Sequence, residues 1–290
     1  MKETWTPLKV IQWAVPLLKQ AQVVHPRYSA MSLTALGLGV DPLNLHLQFD
    51  RVLKESELKK IRGTIRRRLK QEPLEYILGK AFFFGLPFKV SPAVLRPRPE
   101  TGQLVEMALE ILAKIPEEKR LVLDLGTGCG NLAIAVAKYI PCRVWGVDIS
   151  QKALTVAKAN ARQLKVSGAI QWRRGDWFSA LTAKDPAQFQ LILCNPPYVA
   201  QWEDEVLHQE ITGFEPSVAV FGGKTGLEPY RVMARGLEKR LAPGGTAFME
   251  LDPRRADLIL SLFKNRGLKR SFGQDDAGVN RVLILEKKKQ

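Results

Sequence analysis

The spacing of apolar residues changes along this chain, and the change divides it. Near the start, Thr6-Pro7 supplies a helix cap and a first-turn proline, followed by Leu8, Ile11, Trp13, Val15, Leu17 and Leu18. A second helix opens at Ser56-Glu57, with Leu58, Ile61, Ile65 and Leu69 three and four residues apart on one face. These patterns predict a small helical domain over residues 1–80, with Gly63 its weak point. From Ala81 the period shortens. Residues 82–90 read as two short strands around Gly85-Leu86-Pro87, and Pro92, Pro97 and Pro99 stiffen the chain beyond them. Residues 81–99 are therefore expected to form a β-hairpin and proline-rich linker. Glu100 then begins a helix striped by Leu104, Val105, Ala108, Leu109, Leu112 and Ile115.

Beyond residue 120, strand and helix patterns alternate. Strands are expected at 121–125, 144–149, 170–175, 189–194, 246–251 and 282–285, and helices at 131–140, 150–164, 228–241 and 254–266. Such alternation argues for an α/β fold with a mostly parallel sheet covered on both faces. Ligands of such sheets bind beyond the carboxyl ends of the strands. Residues 100–290 are thus the expected ligand-binding domain.

Composition narrows the setting. No apolar run reaches about 18 residues, so no membrane span is expected. Met1-Lys2-Glu3-Thr4-Trp5-Thr6-Pro7 lacks the basic and apolar regions of a secretory signal. Cys129, Cys142 and Cys194 form no C-x-x-C pair, which fits buried thiols in a reducing cytoplasm. His25, His46 and His208 have no metal-ligand spacing, so no metal site is expected. The net charge of +15 gathers at Lys59, Lys60, Arg62, Arg66-Arg67-Arg68 and Lys70 and at the tail Lys287-Lys288-Lys289. It reads either as a solvated helix face or as contact with RNA or with a partner that lives among RNA.

Two segments carry the chemistry. The first runs strand, glycine turn, helix: Leu121-Val122-Leu123-Asp124-Leu125-Gly126-Thr127-Gly128-Cys129-Gly130-Asn131. Its glycines let the backbone turn sharply and approach a ligand. Asp148 ends the next strand, where a carboxylate can accept both ribose hydroxyls, each charged bond contributing roughly 1.5–3 kcal/mol. A dinucleotide site would want Gly-x-Gly-x-x-Gly, but position 131 is Asn. The Gly-x-Gly-x-Gly form better suits S-adenosylmethionine. Asp176-Trp177 follows the third strand, where the indole would pack on an adenine or simply belong to the core. The second segment is Asn195-Pro196-Pro197-Tyr198, directly after an apolar strand. Neither proline can donate to a ladder, so the chain leaves the sheet at Asn195 in a stiff turn. That turn offers the Asn195 side chain and a backbone carbonyl as a rigid acceptor pair for a planar NH2 group.

Together these segments resemble S-adenosylmethionine-dependent methyltransferases that act on a planar nitrogen. Asn-Pro-Pro-Tyr is shared by enzymes acting on DNA adenine N6, RNA guanine N2 and protein glutamine N5. Further stretches discriminate among them: 72–79, Phe83-Phe84-Gly85, Arg96-Pro97-Arg98-Pro99-Glu100-Thr101, Phe214-Glu215-Pro216-Ser217, and 222–230. These resemble the release-factor glutamine N5-methyltransferase family (the HemK type) from about residue 66 to the end. The resemblance implies a Rossmann-like class I methyltransferase with a seven-stranded, mostly parallel sheet and a small N-terminal helical substrate-recognition domain. It implies methyl transfer from S-adenosylmethionine, leaving S-adenosylhomocysteine, to the glutamine of the Gly-Gly-Gln motif in class I peptide chain release factors, hence a role in translation termination. The expected enzyme is a cytoplasmic monomer without a stable nucleic acid complex. Asn195, Pro196, Pro197 and Tyr198 are the catalytic candidates. Gly126, Thr127, Gly128, Cys129, Gly130, Asp148, Trp177 and Asn195 are the cofactor candidates. The alternatives are another amino-group methyltransferase, acting on DNA adenine, rRNA guanine or a ribosomal-protein glutamine, or a non-catalytic RNA-associated binding protein. The chain departs from the family pattern at Gly102, Arg96 and Glu250-Leu251-Asp252-Pro253.

Overall fold

Thr6 caps the first helix: its hydroxyl accepts from the Lys9 amide, and Pro7 fills a first-turn position where no N–H is needed. The helix runs Pro7–Gln20 and buries Pro7, Val10, Ile11, Ala14 and Leu18. Of the predicted stripe only Ile11 and Leu18 are buried; Leu8, Trp13, Val15 and Leu17 stay partly exposed, Trp13 edge-on to Trp5 and near the Arg62 guanidinium. The structure, a computed structural model, describes residues 4–264 and 266–289 (at Val206 the backbone alone); residues 1–3 of the expected helical domain and Gln290 lie outside them. The described residues divide into two units. One extends to Lys80 and includes His208–Phe214; the other holds Ala81–Leu207 and the chain from Glu215 onward.

In the helical unit, Glu55–Leu69 buries Ile61 and Ile65 as the spacing predicts. A helix the apolar pattern does not reveal, Pro26–Leu38, packs beside it. Its buried face carries Ser29, Ser32, Thr34 and Gly37, so small and polar residues hide the stripe. Gly37 is required there: a β-carbon would lie 2.2 Å from the Ile61 side chain. Arg68 does not join the solvated basic face. It is buried, donates to the Glu72 carbonyl and pairs with Glu210 at 2.5 Å.

A hairpin stands where the second unit begins, formed by β1 (Lys80–Phe83) and β2 (Leu86–Lys89). The sheet strands come next: β3 (Leu121–Leu125), β4 (Arg143–Asp148), β5 (Ile170–Arg174), β6 (Phe189–Cys194), β7 (Leu241–Glu250), β8 (Leu268–Gln274) and β9 (Asn280–Lys287). Their order is β5-β4-β3-β6-β7-β9-β8, with β3 to β7 parallel and β9 antiparallel to both neighbours. The fold is α/β, with a mostly parallel seven-stranded sheet. Val122, Leu123, Leu191, Ile192 and Leu193 are fully buried, as helix-covered central strands must be. Two expectations shift. β7 begins at Leu241, because its register jumps from Leu241 to Thr246 opposite β6. The last predicted helix is only Ala256–Leu262, followed by β8, an edge strand whose charged, half-exposed side chains show no alternation.

Strand order reverses between β3 and β6, and this switch point locates the crevice. Leu125 pairs with Cys194, so the chain leaves both strands side by side, at Gly126 and at Asn195.

Candidate active site

The glycine turn after β3 is held from both sides. The Gly126 and Thr127 amides donate to the Val147 carbonyl at 2.9 and 2.8 Å, and the Gly130 amide donates to the Thr127 carbonyl. Gly126, Gly128 and Gly130 all have positive φ. Asn160, fully buried on the helix Gln151–Gln163, donates to the Cys129 carbonyl at 2.9 Å and exchanges two bonds with Lys89 of β2. The hairpin thereby braces the turn.

Asp148 at the end of β4 accepts from the Gly128 amide with Oδ2 and from the Ser150 amide with Oδ1, both at 2.8 Å. Burial pushes its carboxyl above the usual range, while the two amides pull it back. Each oxygen keeps a lone pair for a further donor.

A cavity of about 300 Å³ opens beyond the strand ends. Gly126, Gly128, Asp148, Trp177 and Asn195, with Pro197, line it. The Trp177 indole lies over Gly126, 3.7 Å from where a β-carbon would stand, on a backbone with φ +49°. Thr127 and Cys129 border a smaller recess of about 30 Å³, shared with Gly126, Gly128 and Asn195. The Cys129 thiol is buried and pushed up to about 12, so it is inert. Gly130 lines neither space. A β-carbon there would meet Ile134 at 2.8 Å and Ala157 at 3.2 Å, so this glycine serves helix packing.

Asn195-Pro196-Pro197-Tyr198 is strapped to a second loop. The Val199 amide donates to the Val220 carbonyl, the Gly222 amide to the Val199 carbonyl, and the Gln201 amide to the Gly223 carbonyl. The loop approaches so closely that β-carbons on Gly222 and Gly226 would lie 2.3 Å from the Pro197 and Tyr198 carbonyl oxygens. Pro196 is buried and lines neither space. Tyr198 faces a different cavity of about 330 Å³, with Arg98, Glu100 and Glu250.

Three residues absent from the sequence-derived candidates stand in this site. Asp124 is fully buried; Oδ2 accepts from Thr127 Oγ1 at 2.5 Å and from the Ala133 amide, and Oδ1 has no hydrogen-bond partner among the described residues. Burial pushes it up to about 7. Thr101 and Glu250 are also buried and bonded to each other at 2.7 Å. An acid two residues before the first glycine of the turn was a readable signal for Asp124. The Thr101–Glu250 pair spans 149 residues and had none. Of the departures, Arg96 is buried and donates to Glu215 at 2.6 Å, joined there by Arg98 at 2.7 Å.

Comparison with known proteins places this geometry. Residues 9–79 match the family described as PrmC N-terminal domain, and residues 104–215 match Methyltransferase small domain. The chain is 37% identical to the release factor glutamine methyltransferase of Geobacter sulfurreducens, over 97% of this chain and 96% of that one. It is 38% identical to the Koribacter versatilis protein of the same name, over 87% and 88%. The chain belongs to the release factor glutamine methyltransferase family. As a member it is an S-adenosylmethionine-dependent methyltransferase. Its fold is that of a methyltransferase from Pyrococcus furiosus, at 19% identity, covering 71% of this chain and 90% of that one with a TM-score of 0.52. No helix among the described residues is long and apolar enough to cross a membrane.

Proposed function

We propose that this methyltransferase modifies the side-chain amide N5 of a glutamine, that of the Gly-Gly-Gln motif in a class I peptide chain release factor. The observation that carries this reading is the orientation of Asn195. Its Nδ2 donates to Thr101 Oγ1 at 3.1 Å, which leaves Oδ1 as an acceptor at the wall of the cavity.

The residues present fit the cofactor. An unpartnered carboxylate oxygen of buried Asp124 beside the small recess suits the α-ammonium of the methionyl end. Asp148 suits the ribose hydroxyls, and Trp177, Val147 and Ile149 offer an apolar wall to the adenine. Gly126 and Gly128 keep β-carbons out of the way. Bound there, S-adenosylmethionine supplies a methyl group made electrophilic by its sulfonium.

This chain's residues then solve an orientation problem. A carboxamide nitrogen is a poor nucleophile, because its lone pair is delocalised into the carbonyl. Asn195 Oδ1 accepts one N–H of the substrate amide and turns its nitrogen toward the methyl group; Pro196, buried away from the cavity, holds the turn rigid. Alignment of this kind contributes about 7–11 kcal/mol in well-oriented systems. Tyr198, half-buried and bonded through its hydroxyl to Glu250 at 3.4 Å, faces the neighbouring cavity rather than this one, so its part is to stiffen the corner that carries Asn195. The nitrogen's proton leaves to solvent after transfer. The N-terminal helical unit, with Lys59, Lys60 and Arg66 exposed on one helix and Lys70 exposed at its C-cap, holds the protein substrate. The enzyme acts in the cytoplasm as a monomer, without a stable nucleic acid complex.

Incubation with methyl-labelled cofactor and purified release factor, followed by mapping of the modified residue, tests this. Label on the Gly-Gly-Gln glutamine is expected. No label on the factor, or label on another of its residues, overturns it, as does transfer to DNA or RNA offered in parallel reactions.

A further inference from the structure

Asn195 can present either its oxygen or its nitrogen to a ligand, and rotation by half a turn exchanges them. The surroundings decide between the two. Thr101 lies in the short helical turn Pro99–Thr101, only 1% exposed. Its hydroxyl donates to Glu250 Oε2 at 2.7 Å. Glu250 ends β7, is 5% exposed, and also accepts from the Tyr198 hydroxyl. The Tyr230 hydroxyl pins the Glu250 backbone carbonyl at 2.7 Å.

A threonine hydroxyl has a single hydrogen. Spent on Glu250, it leaves Thr101 Oγ1 only lone pairs for Asn195, so the Asn195 atom facing it at 3.1 Å must be the nitrogen. The flipped amide would set oxygen against oxygen. We infer that Thr101 and Glu250 are positioning residues that fix the Asn195 carboxamide with its oxygen toward the substrate. This inference rests on the reading that Asn195 accepts from the substrate amide. The carboxylate acts two hydrogen bonds away from Asn195, and so three from the reacting nitrogen, and touches neither substrate nor cofactor. A glutamine at 250 can offer its own NH2 to Thr101. That frees the hydroxyl hydrogen to point at Asn195 and favours the flipped amide.

The test is steady-state methylation of the release factor, with S-adenosylhomocysteine affinity by calorimetry and a thermal melt for each variant. Thr101→Val keeps the shape and removes the hydroxyl. It is expected to lower kcat about 10–100-fold, with cofactor-product affinity within about threefold of wild type. Glu250→Gln is expected to lower kcat by a similar factor. Thr101→Ser is expected to restore most of the kcat that Thr101→Val loses. Wild-type kcat in both Thr101→Val and Glu250→Gln, with Asn195→Ala inactive, overturns the positioning inference and leaves the reading of Asn195 standing. Full activity of Asn195→Ala overturns that reading as well. Loss of product affinity in step with kcat, unrescued by Thr101→Ser, shows a merely structural role and also overturns the inference.

Discussion

Gly126 and Asn195 meet where β3 and β6 end: a β-carbon built on Gly126 would stand 3.9 Å from the Asn195 carbonyl oxygen. The contact brings the glycine turn and the Asn-Pro-Pro-Tyr corner to one cavity wall, though the two lie nearly seventy residues apart in sequence. Gly126→Val puts branched bulk into that cavity and imposes a side chain on a residue with φ +73°. S-adenosylhomocysteine affinity is expected to fall about 10-fold or more, measured by calorimetry. Unchanged affinity would place the cofactor elsewhere.

Asp124 links cofactor binding to pH. Burial outweighs the Thr127 and Ala133 bonds and holds its carboxyl near about 7, well above an unfolded aspartate. The stability it contributes to the ligand-free protein is full below the unfolded value of about 3.9 and lost as pH rises through about 7. A cationic ammonium beside it reverses the preference and favours the carboxylate. Cofactor binding is therefore expected to release a proton near neutral pH, with affinity rising between about pH 6 and 8. Calorimetry in buffers of different ionisation enthalpy measures this, and Asp124→Asn should abolish the proton release. Equal proton release in wild type and Asp124→Asn contradicts the assignment.

Gly226 supports the corner without lining the cavity. Its β-carbon would lie 2.3 Å from the Tyr198 carbonyl oxygen, and its φ is +75°. Gly226→Ala should displace Tyr198 and lower kcat about 10-fold or more, because misplacements near 1 Å cost on the order of 100-fold. Product affinity should stay within about threefold. A variant with wild-type kcat would mean that the corner tolerates movement.

Arg68 tests the helical unit. Arg68→Ala leaves the Glu210 carboxylate without its buried guanidinium, a loss that costs about 3–5 kcal/mol in comparable pairs. A lower denaturation midpoint is expected for this variant, and a change within measurement error refutes the role.

The sheet was legible where apolar runs were unbroken, as in β3 and β6, and the prolines at 196 and 197 marked the exit to the site. Legibility failed where side chains did not report their surroundings. The helix Pro26–Leu38 hides its stripe behind buried serines, and β8 is an edge strand whose Leu268 and Phe272 only partly bury against the core among charged neighbours. Arg68 reads as one of a basic run, yet a partner 142 residues away takes it inside. Gly130 fits a cofactor loop by spacing, but it faces Ile134, Ala157 and Trp172. Thr101 becomes the partner of Asn195, and Glu250 that of Thr101, only when the end of β7 meets the turn before the helix Gly102–Leu112.

The most direct measurement is turnover of Asn195→Ala on purified release factor, with S-adenosylhomocysteine binding measured in parallel. The expected result is a fall in kcat of about 100-fold or more with product affinity within about threefold. Wild-type turnover would contradict the claim that this carboxamide orients the substrate nitrogen.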